Sequence, residues 1–310
     1  AIRILNLASD FLPRKGRCMS IFVQLLLNAL QIGAIYVLFS LGLTLVFGVM
    51  RVINFAHGEF FALAAILTAI CVQTVFPEGP MWLRYAGAFL VALAVVMLLS
   101  AIVYVAGLSR FLGDLGSGFI FSLGLVLVLQ GLMAEIFGGY PRSVPALAEG
   151  RLILFGGAFA LQKVVVAVLA LVAAAILLLV VFRTKSGMAL RAIAEDREAA
   201  MLQGIRYQRL VLYGFILGSS LAAIAGTLIA PLTVILPTMG SEFIMKAFMI
   251  VIIGGLGSIW GAIVASFLMA AVESFGSYFI DLPLVTIAVF TLVGVLLVIR
   301  PQGLFGHAVR

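Results

Sequence analysis

Long apolar runs, broken by short polar joints, fill almost the whole chain. They cover Ile21–Phe47, Phe60–Val75, Ala86–Leu108, Ser117–Phe137, Val164–Phe182, Leu210–Ile229, Phe243–Ile253 with its continuation, Ala262–Ile280 and Leu284–Ile299. Most approach the roughly 20 residues that an α-helix needs to cross ~30 Å of hydrocarbon. None alternates with period two. Because lipid satisfies no free backbone group, such runs must close their hydrogen bonds internally as helices. The pattern therefore predicts an all-α polytopic membrane protein of about eight to ten transmembrane helices.

The joints hold the helix breakers and charges. Pro77, Glu78, Pro80 and Arg84 form one, Arg110, Gly113 and Asp114 another, and residues 138–162 a longer one with Pro141, Arg142, Pro145 and Glu149. Pro231 and Pro237 bracket the next, and Asp281 with Pro283 makes a short turn. The joint from Arg183 to Arg209 holds six Arg or Lys and three acids. A positive-inside bias assigns it to the cytoplasm, together with Arg300 at the end of the last run. Counting back with one span per run leaves the N-terminus outside, although Arg3, Arg14, Lys15 and Arg17 lie there. Either residues 1–18 are an extension or a mis-annotated start, or the run from Ile21 contains an extra turn.

Two interruptions sit at corresponding places in the two halves. One is Gly48 to Glu59, where Arg51, Asn54, His57 and Glu59 enter apolar sequence. The other is Gly254, Gly255, Gly257 and Ser258, after the unusually short run Phe243–Ile253. Paired interruptions of this kind predict an inverted repeat with broken helices beside a translocation path; two ordinary tight turns are the plainer reading. Ionisable groups at membrane depth are costly unless paired or hydrated. Arg51 and Glu59 either serve the path or pair to fix the break. Gln24, Asn28 and Gln31 follow helical spacing on one face, as interhelical contacts or pore lining. Gly214-x-x-x-Gly218 and Gly257-x-x-x-Gly261 permit close helix approach. Glu135, Lys246 and Glu273 fall near run ends, an interfacial position.

Composition narrows the class. Of the 310 residues 65% are hydrophobic and only 10% charged, against about 25% charged in soluble domains. The net charge of +7 is scattered at run ends, so nucleic acid is no partner. Two cysteines, Cys18 and Cys71, and two histidines, His57 and His307, provide neither a disulfide framework nor a metal site. No G-x-x-x-x-G-K-[ST] occurs, so the chain lacks a phosphate-cradling loop. His57 and Glu59 have no companion nucleophile, which disfavours an intramembrane enzyme. A secondary transporter would share the spans and repeat but would need no charged island.

That island, within 183–209, carries Glu198-Ala199-Ala200, three residues and Gly204. Its stretch Ala192–Gly204 is rich in helix formers, predicting one short amphipathic helix. The order resembles the EAA loop by which permeases of ABC importers engage their ATPases. GVMRVINFAHGEFFALAA at 48–65, GMALRAIAEDREAAMLQGI at 187–205, VIIGGLGSIWGAI at 251–263 and RPQGLFG at 300–306 together resemble the branched-chain amino-acid permeases. The resemblance implies an importer transmembrane domain over 19–310 in the bacterial inner membrane. It implies a second related permease subunit, two cytoplasmic ATPases carrying the ATP and Mg, a periplasmic substrate-binding protein and surrounding lipid. No cofactor is then held by this chain. Glu195, Asp196, Arg197, Glu198, Ala199, Ala200 and Gly204 would couple to the ATPase. Leucine, isoleucine and valine are the implied cargo, with urea, short amides or aromatic acids as alternatives.

Overall fold

The structure is a computed structural model and describes residues 14–154, 157–300 and 303–305. The expectations for residues 1–13 and for His307 lie outside these residues. Among the described residues eleven α-helices are formed: α1 Arg14–Met50, α2 His57–Ile70, α3 Met81–Ala106, α4 Leu115–Phe137, α5 Leu161–Arg183, α6 Lys185–Glu195, α7 Arg197–Leu202, α8 Tyr207–Ile229, α9 Met239–Gly254, α10 Ile259–Phe279 and α11 Leu282–Ile299. Among the described residues eight helical segments are long and apolar enough to cross a membrane. A two-stranded antiparallel hairpin, β1 Arg151–Leu154 with β2 Gly157–Ala160, stands in the 138–162 joint.

Chain direction defines two faces. Helices α6 and α7 lie at one, here the island face; the β-hairpin lies at the other. Helix α5 runs from the hairpin to the island and α8 back again. Gly48, near the end of α1, approaches Ala194 of α6, so α1 ends at the island face. Since α1 is one unbroken helix of 37 residues, the extra turn allowed for after Ile21 is not present. Its first described turns sit at the hairpin face.

Helix α1 is the spine of the bundle and packs most extensively against α10, with α8 and α5 also alongside. Small residues allow the close approach: a Cβ on Gly42 would meet the Gly218 carbonyl oxygen at 2.7 Å. Local chemistry sets the helix ends. Asp114 caps α4 by accepting from the backbone N–H groups of Gly116 and Ser117, both at 3.1 Å. Hydrogen bonding from Ser117, then Gly116, holds its carboxyl below the ordinary value.

Two helices start inside the bundle. After α1 the chain turns at Arg51, whose φ is +51°. It then returns in non-helical form from the island face until α2 begins at His57. After α8 and a short 3-10 turn, residues 233–238 return from the hairpin face until α9 begins at Met239. With 16 residues, α9 is only about 24 Å long, too short for a full span. The N-termini of α2 and α9 meet: a Cβ on Gly58 would fall onto the Gly240 carbonyl, and one on Gly240 onto the Gly58 carbonyl. These oppositely directed re-entrant segments are two half-helices that meet at their N-termini, the arrangement expected of broken helices in an inverted repeat.

The second interruption therefore differs from the expected one. The break paired with 51–56 is 233–238, not 254–258. Gly254 to Ser258 is a tight turn in which Gly257 takes φ +84° and Ser258 caps α10 through Gly261 N–H at 3.1 Å. Its glycines let α9 and α10 pack, with Gly254 directly against Gly261. Pro231 and Pro237 marked the true break.

Candidate functional site

At the junction of the half-helices, backbone groups that no helix satisfies are held by side chains. Ser122 of α4 donates to the Ile53 carbonyl at 3.1 Å and accepts from Phe55 N–H at 3.2 Å. Asn54 accepts from Ala56 N–H at 3.1 Å and leads the chain into α2. The Asn54 amide nitrogen and both ring nitrogens of His57 are buried without hydrogen-bonding partners. The His57 ring lies 5.0 Å from that of Phe39.

Glu59, in the first turn of α2, accepts from Gln130 Nε2 at 3.0 Å, and the same nitrogen donates to Ser241 of α9 at 2.6 Å. A polar chain thus links both half-helix N-termini through α4. These N-termini carry partial positive charge, which a carboxylate in the first turn complements. Arg51 is exposed. The anticipated Arg51–Glu59 pair is not among the ion pairs of the described residues, because Arg51 stays at the helix end while Glu59 has been carried inside.

A second polar group gathers between α1, α9 and α10. Lys246 Nζ lies 3.0 Å from Glu242 and 3.3 Å from Glu273. Tyr36 donates to the other Glu273 oxygen at 2.6 Å. The sequence reading set Lys246 and Glu273 at the interface; instead both are buried. The re-entrant start of α9 drops Lys246 into the bundle, and Glu273 lies opposite it. Neither Tyr36 nor Gln130 stood out in the sequence. The Glu242–Lys246 spacing of one helical turn, within an apolar run, was the available signal. Of the expected polar stripe, Asn28 accepts from Lys163 Nζ at 2.8 Å, Gln31 is buried and Gln24 is half-buried. Gly254, Gly255, Gly257 and Ser258 lie at the island face, away from this group.

The island forms two helices rather than one. Asp196 leaves the helical region, with φ −143° and ψ 107°, ending α6. Its carboxylate then accepts from Glu198 and Ala199 N–H at 2.9 and 3.0 Å, starting α7. Leu190, Ile193 and Ala200 root this elbow in the core. Ala200 is consequently buried by its own chain. Glu195, Glu198 and Ala199 are exposed; Arg197 packs over the Tyr207 ring at 4.0 Å. Gly204 takes φ +82° in open space, so glycine is needed there for the turn. Leu202, 87% exposed, and exposed Met201 add an apolar edge that the sequence reading passed over.

Comparison with known proteins agrees with this architecture. A family model described as branched-chain amino acid transport system / permease component matches residues 25–299. The high-affinity branched-chain amino acid transport system permease protein LivH of Salmonella typhimurium is 28% identical over 300 residues, covering 92% of this chain and 96% of its own. BraD of Pseudomonas aeruginosa, of the same description, is 28% identical over 302 residues with the same coverage. The fructose import permease protein FruF of Bifidobacterium longum is 28% identical over 240 residues, 76% of this chain and 64% of its own. Since the family model runs over most of the chain, from within α1 to the end of α11, the chain belongs to the family of branched-chain amino acid transport system permease components.

Proposed function

We propose that this chain is one transmembrane subunit of an ATP-driven ABC importer in a bacterial inner membrane, with branched-chain amino acids as cargo. In this reading a second related permease subunit completes the transmembrane unit. Two cytoplasmic ATPases bind ATP and Mg, and a periplasmic binding protein delivers the substrate at the hairpin face. The observation that carries it is the exposed α6–α7 elbow, an anchored projection on a chain with no ATP-binding loop of its own. The six basic residues around that elbow favour the cytoplasmic side. Glu198, Met201 and Leu202 offer a charged and apolar surface to an ATPase groove, while Ala200 and Ile193 hold the elbow to the bundle.

Coupling follows from packing. Helix α6 contacts both α1 and α8. Movement of the elbow on ATPase closure would be passed to these long helices, and through them to the half-helix junction at Gly58 and Gly240. Rocking of the two repeats there would alternate access between the faces. The LivH and BraD names support branched-chain amino acids as cargo; the FruF name shows that related chains serve a sugar.

Capture of the tagged chain from its membranes in mild detergent should bring a second permease and P-loop ATPases, identified by mass spectrometry. Reconstitution of that assembly with its binding protein should give ATP-dependent leucine uptake. Gly204→Trp should abolish uptake while the protein remains inserted and assembled in the membrane. A chain that purifies alone and transports without ATP would overturn the proposal in favour of a secondary transporter.

A further inference from the structure

A cavity of about 530 Å³ opens between α1, α9 and α10 near the hairpin face. Its volume lies within the roughly 300–1,000 Å³ of small-molecule sites. Two charged groups line it. Among the described residues Lys163, at the start of α5, is held by neutral Asn28 and the Phe159 ring, so it contributes a local positive charge. Glu242, Lys246 and Glu273 form a group with one cation between two carboxylates, a local negative charge. The cavity as a whole is balanced, yet its two charges are separately placed.

One further observation argues for a ligand. Glu273 is only 4% exposed and lines the cavity, yet its Oε1 has no hydrogen-bonding partner. Lys246 is near enough to form an ion pair with that oxygen but is not aligned for a hydrogen bond. Glu59 Oε2 is left in the same way but away from the cavity, whereas Glu273 lines it beside Lys246. Apolar side chains of Leu25, Ile32 and Ile229 complete the wall.

Resting on the importer reading above, we infer that this cavity is a substrate subsite for a zwitterionic amino acid. The carboxylate is received at Lys163 and the ammonium at the Glu242–Lys246–Glu273 group, with the aliphatic side chain against Leu25, Ile32 and Ile229. The subsite stands at the outward end of the path, so a released amino acid would meet it before the half-helix junction. A sugar carries neither charge and can only hydrogen-bond to these groups, so the site would favour a zwitterion over the cargo named for FruF.

The test uses the membrane complex as it purifies, which leaves a soluble binding protein behind. Thermal stabilisation would be titrated with L-leucine, leucinamide (no carboxylate charge), 4-methylpentanoate (no ammonium) and fructose. L-Leucine should raise the Tm at a concentration about tenfold below either analogue, the size expected for losing one charged hydrogen bond. Lys163→Gln should weaken L-leucine about tenfold and leave leucinamide unchanged, while Lys163→Arg keeps the wild-type order. Glu242→Gln should weaken L-leucine and leucinamide but not 4-methylpentanoate. The inference is overturned if L-leucine and its analogues act alike, if Lys163→Gln shifts all ligands equally, or if fructose takes the site. Leucine uptake by the reconstituted system is measured separately. Uptake without this charge signature sinks the subsite alone, whereas ATP-driven uptake of another cargo in place of leucine sinks the cargo reading.

Discussion

The crossing of the two half-helices is the most exacting contact in the bundle, and Gly58→Ala tests it. A Cβ at position 58 would lie on the Gly240 carbonyl oxygen, 2.9 Å from its carbon and 3.0 Å from Ile244 Cβ. Ordinary contact begins at 3.4 Å, so the carbonyl carbon alone requires a retreat of half an ångström. The obstacle is backbone and cannot turn aside as a flexible side chain would. Separating α2 from α9 also stretches the Glu59–Gln130–Ser241 chain, whose bonds are 3.0 and 2.6 Å long. Overpacking costs about 1–3 kcal/mol, and loss of one hydrogen bond adds about 0.5–1.5 kcal/mol. Alanine returns up to about 1 kcal/mol through its better helix propensity. A net loss of about 0.5–4.5 kcal/mol follows. Circular-dichroism melts of the detergent-solubilised chain should register it as a fall in Tm of about 2–4 °C per kcal/mol. Gly124→Ala, where a Cβ would meet nothing within 4 Å, is the control and should not lower the Tm. A Gly58→Ala protein as stable as wild type would refute the claim that the two N-termini are held at backbone contact.

Two further substitutions probe the polar supports. Ser122→Ala removes the group that holds Ile53 and Phe55, leaving buried backbone unpaired; a loss of about 1–3 kcal/mol is expected in the same melts. Faster hydrogen exchange should be confined to residues 51–57, and uniform exchange across the bundle would argue against a local staple. Lys246→Met should cost about 3–5 kcal/mol by leaving Glu273 buried without its cation, and Lys246→Met with Glu273→Leu should recover most of it. A double variant no more stable than the single one would show that the pair does not act as a unit.

The helical class and the island were legible because they rest on local pattern. Apolar runs of span length have no other solution in lipid, and Asp196, Glu198 and Gly204 stand out against an apolar background. The break at 51–56 was legible too, since Arg51, Asn54, His57 and Glu59 interrupt such a run. Its partner was misplaced because four small polar and glycine residues at 254–258 make a louder signal than Thr233–Thr238. Glycine marks both a tight turn and a broken helix; only the three-dimensional depth of Met239 decides between them. The contact between Tyr36 and Glu273 joins residues far apart in the chain, and no local spacing reveals it. Division of the island at Asp196 illustrates the same limit, because the helix formers of Ala192–Gly204 do not show that Asp196 will cap a second helix.

The placement of the acids gives the two repeats a shared logic. Each half-helix begins inside the bundle, where its first N–H groups carry partial positive charge and donate to turn carbonyls such as those of Phe55 and Leu236, and each carries a glutamate in its first turn, Glu59 in α2 and Glu242 in α9. Their surroundings then diverge. Glu59 is fully buried and tied through Gln130 to the opposite repeat, so it belongs to the structural hinge. Glu242 is largely exposed, faces Lys246 and lines the cavity, so it is free to exchange its partner. The same feature, an acid at a buried helix start, thus joins the two half-helices at Glu59 and lines the cavity at Glu242.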